Sequence, residues 1–500
     1  MNRRHMLKTL AAAAAASRLQ GQPRTYTPDW SSLDPRPTPA WWREARFGIF
    51  IHWGVYSVPA FAPVHSKGET QYAEWYWHSM TEGKRITEAA RGSNPSGDGV
   101  HTWEFHKRVY GADFPYSSFA PMFRAELFDP DQWADIFARS GAKYVALTSK
   151  HHDGFTLWRS AEANRSWGRA WNAVDTGPKR DLLLDLSLAG RKRGLHMGLY
   201  YSLYEWYNPL WLSDKARYVR EHMMPQFRDV VTHAQPSVIF ADGEWELASG
   251  EWHSPELQAW LFNESPVRDE VVIDDRWGKD TRHAHGGYYT TEYTPGLKDA
   301  SHLWEESRGM GYSYGYNRME TADDYHTARE LILMLVDIVS RGGNLLLDIG
   351  PTGDGRIPVI MQERLLQMGD WLKVNGEAIY GASTWTNTRQ WSAGAVPELK
   401  ETQFMGAYEI SKLVDSPPPG SARIEAFFTR KAGNLYVMVP RWPAQGIAIP
   451  DLKWNAGARI TLLAGNRQVE WRAEGSGIRI LVPPAMAPPD QPVHVFRLAM

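Results

Sequence analysis

The chain has 500 residues, enough for a large barrel plus a smaller domain, and its 43% hydrophobic and 22% charged content is that of a globular protein. A formal net charge of −2 provides no global field for nucleic acid or an anionic membrane. Cysteine is absent, which excludes disulfides, thiolate nucleophiles and cysteine-bound zinc.

At the N-terminus, Arg3-Arg4 precede Met6-Leu7-Lys8, Leu10 and an alanine run from Ala11 to Ala16. A basic start and an apolar stretch too short to span a bilayer predict an export signal over 1–22, of twin-arginine type, and a periplasmic or extracellular protein. No later stretch has the length of a membrane helix. Residues 23–40, rich in Pro, Ser and Asp, read as a linker. Short apolar runs then alternate with amphipathic stretches. Phe47 to Trp53, Tyr144 to Thr148, His196 to Ser202, Val238 to Ala241, Val271 to Ile273 and Leu345 to Ile349 read as strands buried on both faces. Asp131 to Ser140, Leu182 to Lys192, Lys215 to Thr232 and Ala322 to Val339 read as helices. This alternation predicts an α/β fold, a (β/α)8-like (TIM) barrel over 41–380, with 63–120 as a long excursion between the first two strands. Beyond about residue 380 helical periodicity stops. Arg423 to Thr429, Asn434 to Met438 and Ile478 to Val482 alternate between Gly and Pro turns, which predicts an antiparallel β-sandwich over 381–500.

Barrel enzymes carry their chemistry just past the C-terminal ends of strands. Here those places hold His52, His151-His152-Asp153, Tyr200-Tyr201-Ser202, Asp242-Gly243-Glu244 and Asp348. No HExxH spacing supports a metal site, and no G-x-S-x-G elbow supports a serine hydrolase. Glycoside hydrolysis needs two carboxylates flanking the bond, polar groups for hydroxyls and aromatic rings for the apolar sugar face. The sequence supplies all of these, with 24 tryptophans among its aromatics. Asp242, directly after Val238 to Ala241, is the better-placed nucleophile. For the second carboxylate, spacing leaves Glu305 and Glu306 tied in a loop after Trp304.

Several stretches resemble the α-L-fucosidases of glycoside hydrolase family 29 from about residue 41 to 380. They are Phe47 through Gly54, Glu74-Trp75-Tyr76, Phe128 through Trp133, Tyr144 through Phe155, Asp242-Gly243, Trp304-Glu305 with Gly315-Tyr316-Asn317, and Gly342 through Pro351. The resemblance implies Asp242 as nucleophile and, in the branch with a Trp-Glu motif, Glu305 as acid/base, with Glu306 a neighbour that helps raise its pKa. It implies sugar contacts from His52, Glu74, Trp75, His151, His152 and Tyr200, with Tyr314 against the C5 methyl of fucose. Phe240 stands where many members have a tryptophan. His283 through Tyr289 replaces an arginine-bearing loop and is similar to animal-type members. The implied reaction is retaining double displacement without a cofactor, with the two carboxyls about 5–5.5 Å apart. The implied partner is a fucosylated oligosaccharide or glycoconjugate, with oligomeric state open. Two alternatives stand beside it: a same-fold hydrolase for another sugar, such as an α-galactoside, and a non-catalytic carbohydrate-binding relative.

Overall fold

The computed structural model describes residues 25–64, 72–90, 95–398, 409–454, 457–488 and 491–499. The segment read as an export signal lies outside them. Eight parallel strands form one curled sheet: β1 (Phe47–Ile51), β2 (Tyr144–Lys150), β3 (His196–Ser202), β4 (Val238–Asp242), β5 (Val272–Ile273), β6 (Tyr289–Glu292), β7 (Trp304–Gly309) and β8 (Asn344–Ile349). Their order is β5-β4-β3-β2-β1-β8-β7-β6, a barrel sequence whose backbone ladder is open between β5 and β6. Side chains span that seam. Asp275, just past β5, accepts from the Thr290 backbone N–H of β6 at 3.1 Å and from the Thr290 hydroxyl at 2.7 Å.

The strand period of two divides the barrel into an outer and an inner set. Val145, Leu147, Ile239 and Leu347 face the helices. Phe50, Tyr144, Ala146, Tyr200, Phe240 and Leu346 fill the interior. Gly48 belongs to the inner rows, and a Cβ there would lie 2.3 Å from the Tyr144 ring, so only glycine admits that tyrosine. Helices fit their expected places because the sequence caps them. Asp129 accepts from two backbone N–H groups ahead of Pro130, and Asp181 caps Leu182–Lys192. Thr327 and Glu330 form a capping box that starts Ala328–Ser340 later than the periodicity alone suggests. The expected helix from Lys215 is interrupted by a π turn over Val219–Met223, which ends two residues before Pro225. The 63–120 excursion contains two helices, Tyr76–Ala89 and Asp98–Val109, whose glycines Gly83 and Gly99 let the backbones touch.

The C-terminal part is an eight-stranded antiparallel sheet: β9 (Ser383–Trp391), β10 (Ile424–Lys431), β11 (Asn434–Val439), β12 (Ile447–Ile449), β13 (Ile460–Leu462), β14 (Arg467–Glu474), β15 (Gly477–Leu481) and β16 (His494–Ala499). It folds over a core that includes Phe428, Val437, Ile449, Ile480 and Phe496. Alternate residues Phe427, Met438 and Val495 join the barrel core. Buried Asp337, on Ala328–Ser340, binds Arg341 at 2.7 Å and Arg389 of β9 at 2.6 Å, which ties the sheet to the barrel. Among the described residues no helix is long and apolar enough to cross a membrane.

Candidate active site

A pocket of about 680 Å³ opens at the C-terminal ends of the barrel strands. His52, Glu74, Trp75, His151, His152, Tyr200, Phe240, Asp242 and Tyr314 all line it. Past β1, His52 Nδ1 bonds Asp348 Oδ1 of β8 at 2.6 Å. Burial pushes the imidazole down to about 3, and burial beside Glu74 and Glu292 pushes the Asp348 carboxyl up. The pair therefore shares one proton without separated charge and leaves Nε2 for the pocket. His52 also stacks on Tyr314, with ring centroids 4.8 Å apart.

Past β2, the chain leaves the strand, so both adjacent histidines reach the pocket. His151 stacks on Tyr200 at 5.5 Å. The tautomer of His152 follows from its neighbours. The Ser202 hydroxyl donates to the Tyr204 carbonyl at 2.6 Å, so it accepts from His152 Nδ1–H, also at 2.6 Å. His152 Nε2 is then a lone-pair acceptor, 3.4 Å from the Tyr200 hydroxyl and 3.6 Å from Asp242 Oδ2. Burial, outweighing the attraction of Asp242, pushes His152 down to about 4.

Asp242, the last residue of β4, is only 8% exposed. Tyr200 donates to its Oδ2 at 2.9 Å, and Arg276 NH1 donates to its Oδ1 at 3.1 Å. Burial alone would raise this carboxyl. The Arg276 charge, with His152, Arg282 and the Tyr200 bond, outweighs burial and holds it at about 2. Asp242 is thus an ionised carboxylate held in one orientation. Glu74 has the opposite character. Burial pushes it up to about 8 against the N–H of Gly315, which donates to Oε2 at 2.8 Å. At neutral pH it carries a proton that can be given to a sugar oxygen.

The second carboxylate facing Asp242 is Glu292, the last residue of β6. Arg276 NH2 donates to its Oε2 at 2.9 Å, and the Tyr72 hydroxyl to its Oε1 at 3.2 Å. One guanidinium therefore holds both Asp242 and Glu292 at the pocket.

Glu305 is not there. It is the second residue of β7, paired in register with Thr290 and Asn344 at the opposite end of the barrel. Asn344 precedes Asp348 by four strand residues, a rise of about 13 Å. The Tyr144 hydroxyl donates to Glu305 Oε2, and the side chain is fully buried. Burial raises its carboxyl to about 7, despite the Tyr144 bond. That value reflects a dry barrel floor, not access to substrate. Glu306 points to the other face of β7, where Arg308 donates to it at 3.0 Å, so it does not act on Glu305. The placement of Glu305 as acid/base in a loop is corrected by this geometry: Trp304-Glu305 opens a strand.

The sequence reading missed Arg276, Glu292 and Arg282. Arg276 follows Ile273 by three residues, so the strand-end rule applied to β5 would have found it. Glu292 had no such signal, because β6 has no apolar run.

A deep pocket at the strand ends, with two facing carboxylates among histidine, tyrosine and tryptophan side chains, defines a glycoside hydrolase site. Residues 13–377 match the family described as Alpha-L-fucosidase. The chain is 40% identical to an α-L-fucosidase of Dictyostelium discoideum over 95% of each chain. It is 41% identical to the human tissue α-L-fucosidase, over 90% of this chain and 89% of that one. A solved Thermotoga maritima α-fucosidase in complex with fucose superposes with a TM-score of 0.74 at 34% identity, covering 95% of this chain and 100% of that chain. The chain belongs to the α-L-fucosidase family. It is a glycoside hydrolase acting on α-L-fucosides.

The pocket electrostatics set its pH dependence. His152 stays neutral until about pH 4 and His52 until about pH 3. Protonating His152 removes an acceptor and adds positive charge beside Arg276. The acid limb of kcat/KM, which reports the free enzyme, is therefore expected near pH 4. A limb near pH 6.5, the range of an ordinary histidine, would contradict the neutral, desolvated histidine pair.

Proposed function

We propose that the enzyme releases α-L-fucose from the ends of fucosylated oligosaccharides and glycoconjugates by double displacement, with Asp242 as nucleophile and Glu292 as acid/base. A carboxylate oxygen of Asp242 attacks C1 and forms a β-linked fucosyl ester. The C1–O bond to the leaving sugar breaks as protonated Glu292 gives its proton to that oxygen. Water then enters from the vacated face and loses a proton to Glu292. Its oxygen bonds to C1, and Asp242 leaves as carboxylate.

The observation that carries this reading is the shared hold of Arg276 on Asp242 and Glu292. Arg276 orients both carboxyl groups toward the same sugar, and Glu292 remains its partner once Asp242 is esterified. His52, His151, His152, Tyr200 and protonated Glu74 are suited to the ring hydroxyls. Tyr314, stacked on His52 and bonded to Ser307 at 2.6 Å, offers its ring to the C5 methyl. A deoxy sugar presents that methyl where hexoses carry a hydroxymethyl group, so an aromatic wall favours fucose over galactose.

Retention is read directly by proton NMR of early hydrolysis, before mutarotation. The α-anomer of L-fucose is expected first. Initial release of the β-anomer would mean single displacement and would remove the nucleophile role from Asp242.

A further inference from the structure

We propose that the exposed rim of the pocket is a subsite for the first sugar of the leaving group, a neutral pyranose whose apolar face stacks on Trp245. This rests on the double-displacement reading of the same pocket. The pocket has a gradient of exposure. His52, Glu74 and Tyr200 on its floor are at most 2% exposed, whereas Trp245 is 39% exposed. A terminal fucose attacked by Asp242 occupies the closed end, so its glycosidic oxygen and everything attached to it must point to the rim. The volume of about 680 Å³ also leaves room beyond one deoxyhexose, since pockets of roughly 300–1,000 Å³ accept whole drug-sized ligands.

Trp245 is fixed for this purpose. Trp75 backs it at 6.0 Å with rings 26° from parallel, and Tyr204 meets it edge-on at 5.7 Å. A large exposed indole held in one orientation is a stacking platform for the C–H face of a pyranose. Polar groups border it. Glu244 lines the pocket, and Arg282 donates to its Oε1 at 2.6 Å. Lys279 and Asp280, both exposed at the rim, supply one donor and one acceptor of opposite charge. That balance suits the hydroxyls of a neutral sugar, which both donate and accept.

The test compares Trp245→Ala and Trp245→Phe with wild type on α-L-fucosyl fluoride, whose leaving group has no ring, and on fucosyl-galactose and fucosyl-N-acetylglucosamine disaccharides. Trp245→Ala should lower kcat/KM on the better disaccharide about tenfold and leave fucosyl fluoride within about twofold. Trp245→Phe, which keeps a stacking face, should recover much of the loss. A parallel fall on disaccharide and fluoride would make Trp245 part of the fucose site or the fold and overturn the proposal. No fall on either disaccharide would overturn it too. Failure of wild type to turn over the fluoride would instead strike the double-displacement reading.

Discussion

Replacing Asp242 with glycine is expected to lower kcat on an aryl α-L-fucoside by about four orders of magnitude or more. The glycine removes the atom that attacks C1 and leaves a space beside Tyr200 and Arg276. Arg276 keeps Glu292 as a partner, so the loss does not leave a buried guanidinium unpaired. Azide fits the space and can attack C1 directly, with Glu292 still available to protonate the leaving oxygen. The product should be β-L-fucosyl azide, inverted relative to the substrate, and its formation also shows that the variant is folded. Wild-type turnover by Asp242→Gly without azide would remove Asp242 from the mechanism.

Replacing Glu292 with alanine should lower kcat/KM by about 10²- to 10⁴-fold on sugar leaving groups, the usual range for a positioned acid. The effect should be much smaller on a dinitrophenyl fucoside, whose phenolate leaves without a proton. Such a split by leaving group is the signature of lost acid catalysis, since lost binding or folding would depress both substrates alike. Glu305→Gln supplies the contrast. The amide still accepts from Tyr144 at the barrel floor, so kcat should stay within a few-fold of wild type on both substrates.

These two carboxylates show where the sequence was legible and where it was not. Strands β1 to β5 and β8 are apolar on both faces because helices cover one side and the packed barrel interior the other. Val238 to Ala241 thus announced a buried strand, and Asp242 stood out as the first polar residue after it. Strands β6 and β7 break that pattern for physical reasons. Thr290 answers Asp275 across the open seam, Glu305 answers Tyr144, and Glu306 answers Arg308 and Thr294. Both strands are polar because side-chain pairs replace apolar packing, so their residues read as loop. The catalytic carboxylate proposed at the end of β6 was hidden with them.

The Trp-Glu pattern misled for a related reason. Trp304 is fully buried, packs against Gly296 and Gly343, and lies under the Arg341 guanidinium at 5.0 Å. Tryptophan and glutamate there build the floor of the barrel, and a motif match alone does not distinguish floor from mouth. Other residues that line the pocket were legible. His52, His151, His152 and Tyr200 stand at strand ends, and the resemblance added Glu74, Trp75 and Tyr314, which reach the pocket from outside the strands. Arg276, which organises both carboxylates, was within reach of the same rule, because β5 is only two residues long and its polar continuation begins at Asp274.

In the proposed mechanism Glu292, not Glu305, faces Asp242 across the sugar. The most direct measurement is the anomeric configuration of the azide product from Glu292→Ala with an activated aryl fucoside. Asp242 still forms the fucosyl ester there, and azide, needing no base, takes the place of water on the opposite face. Accelerated turnover and α-L-fucosyl azide, with net retention, are expected. Recovery of α-L-fucosyl azide from Glu305→Ala, with none from Glu292→Ala, would contradict this mechanism.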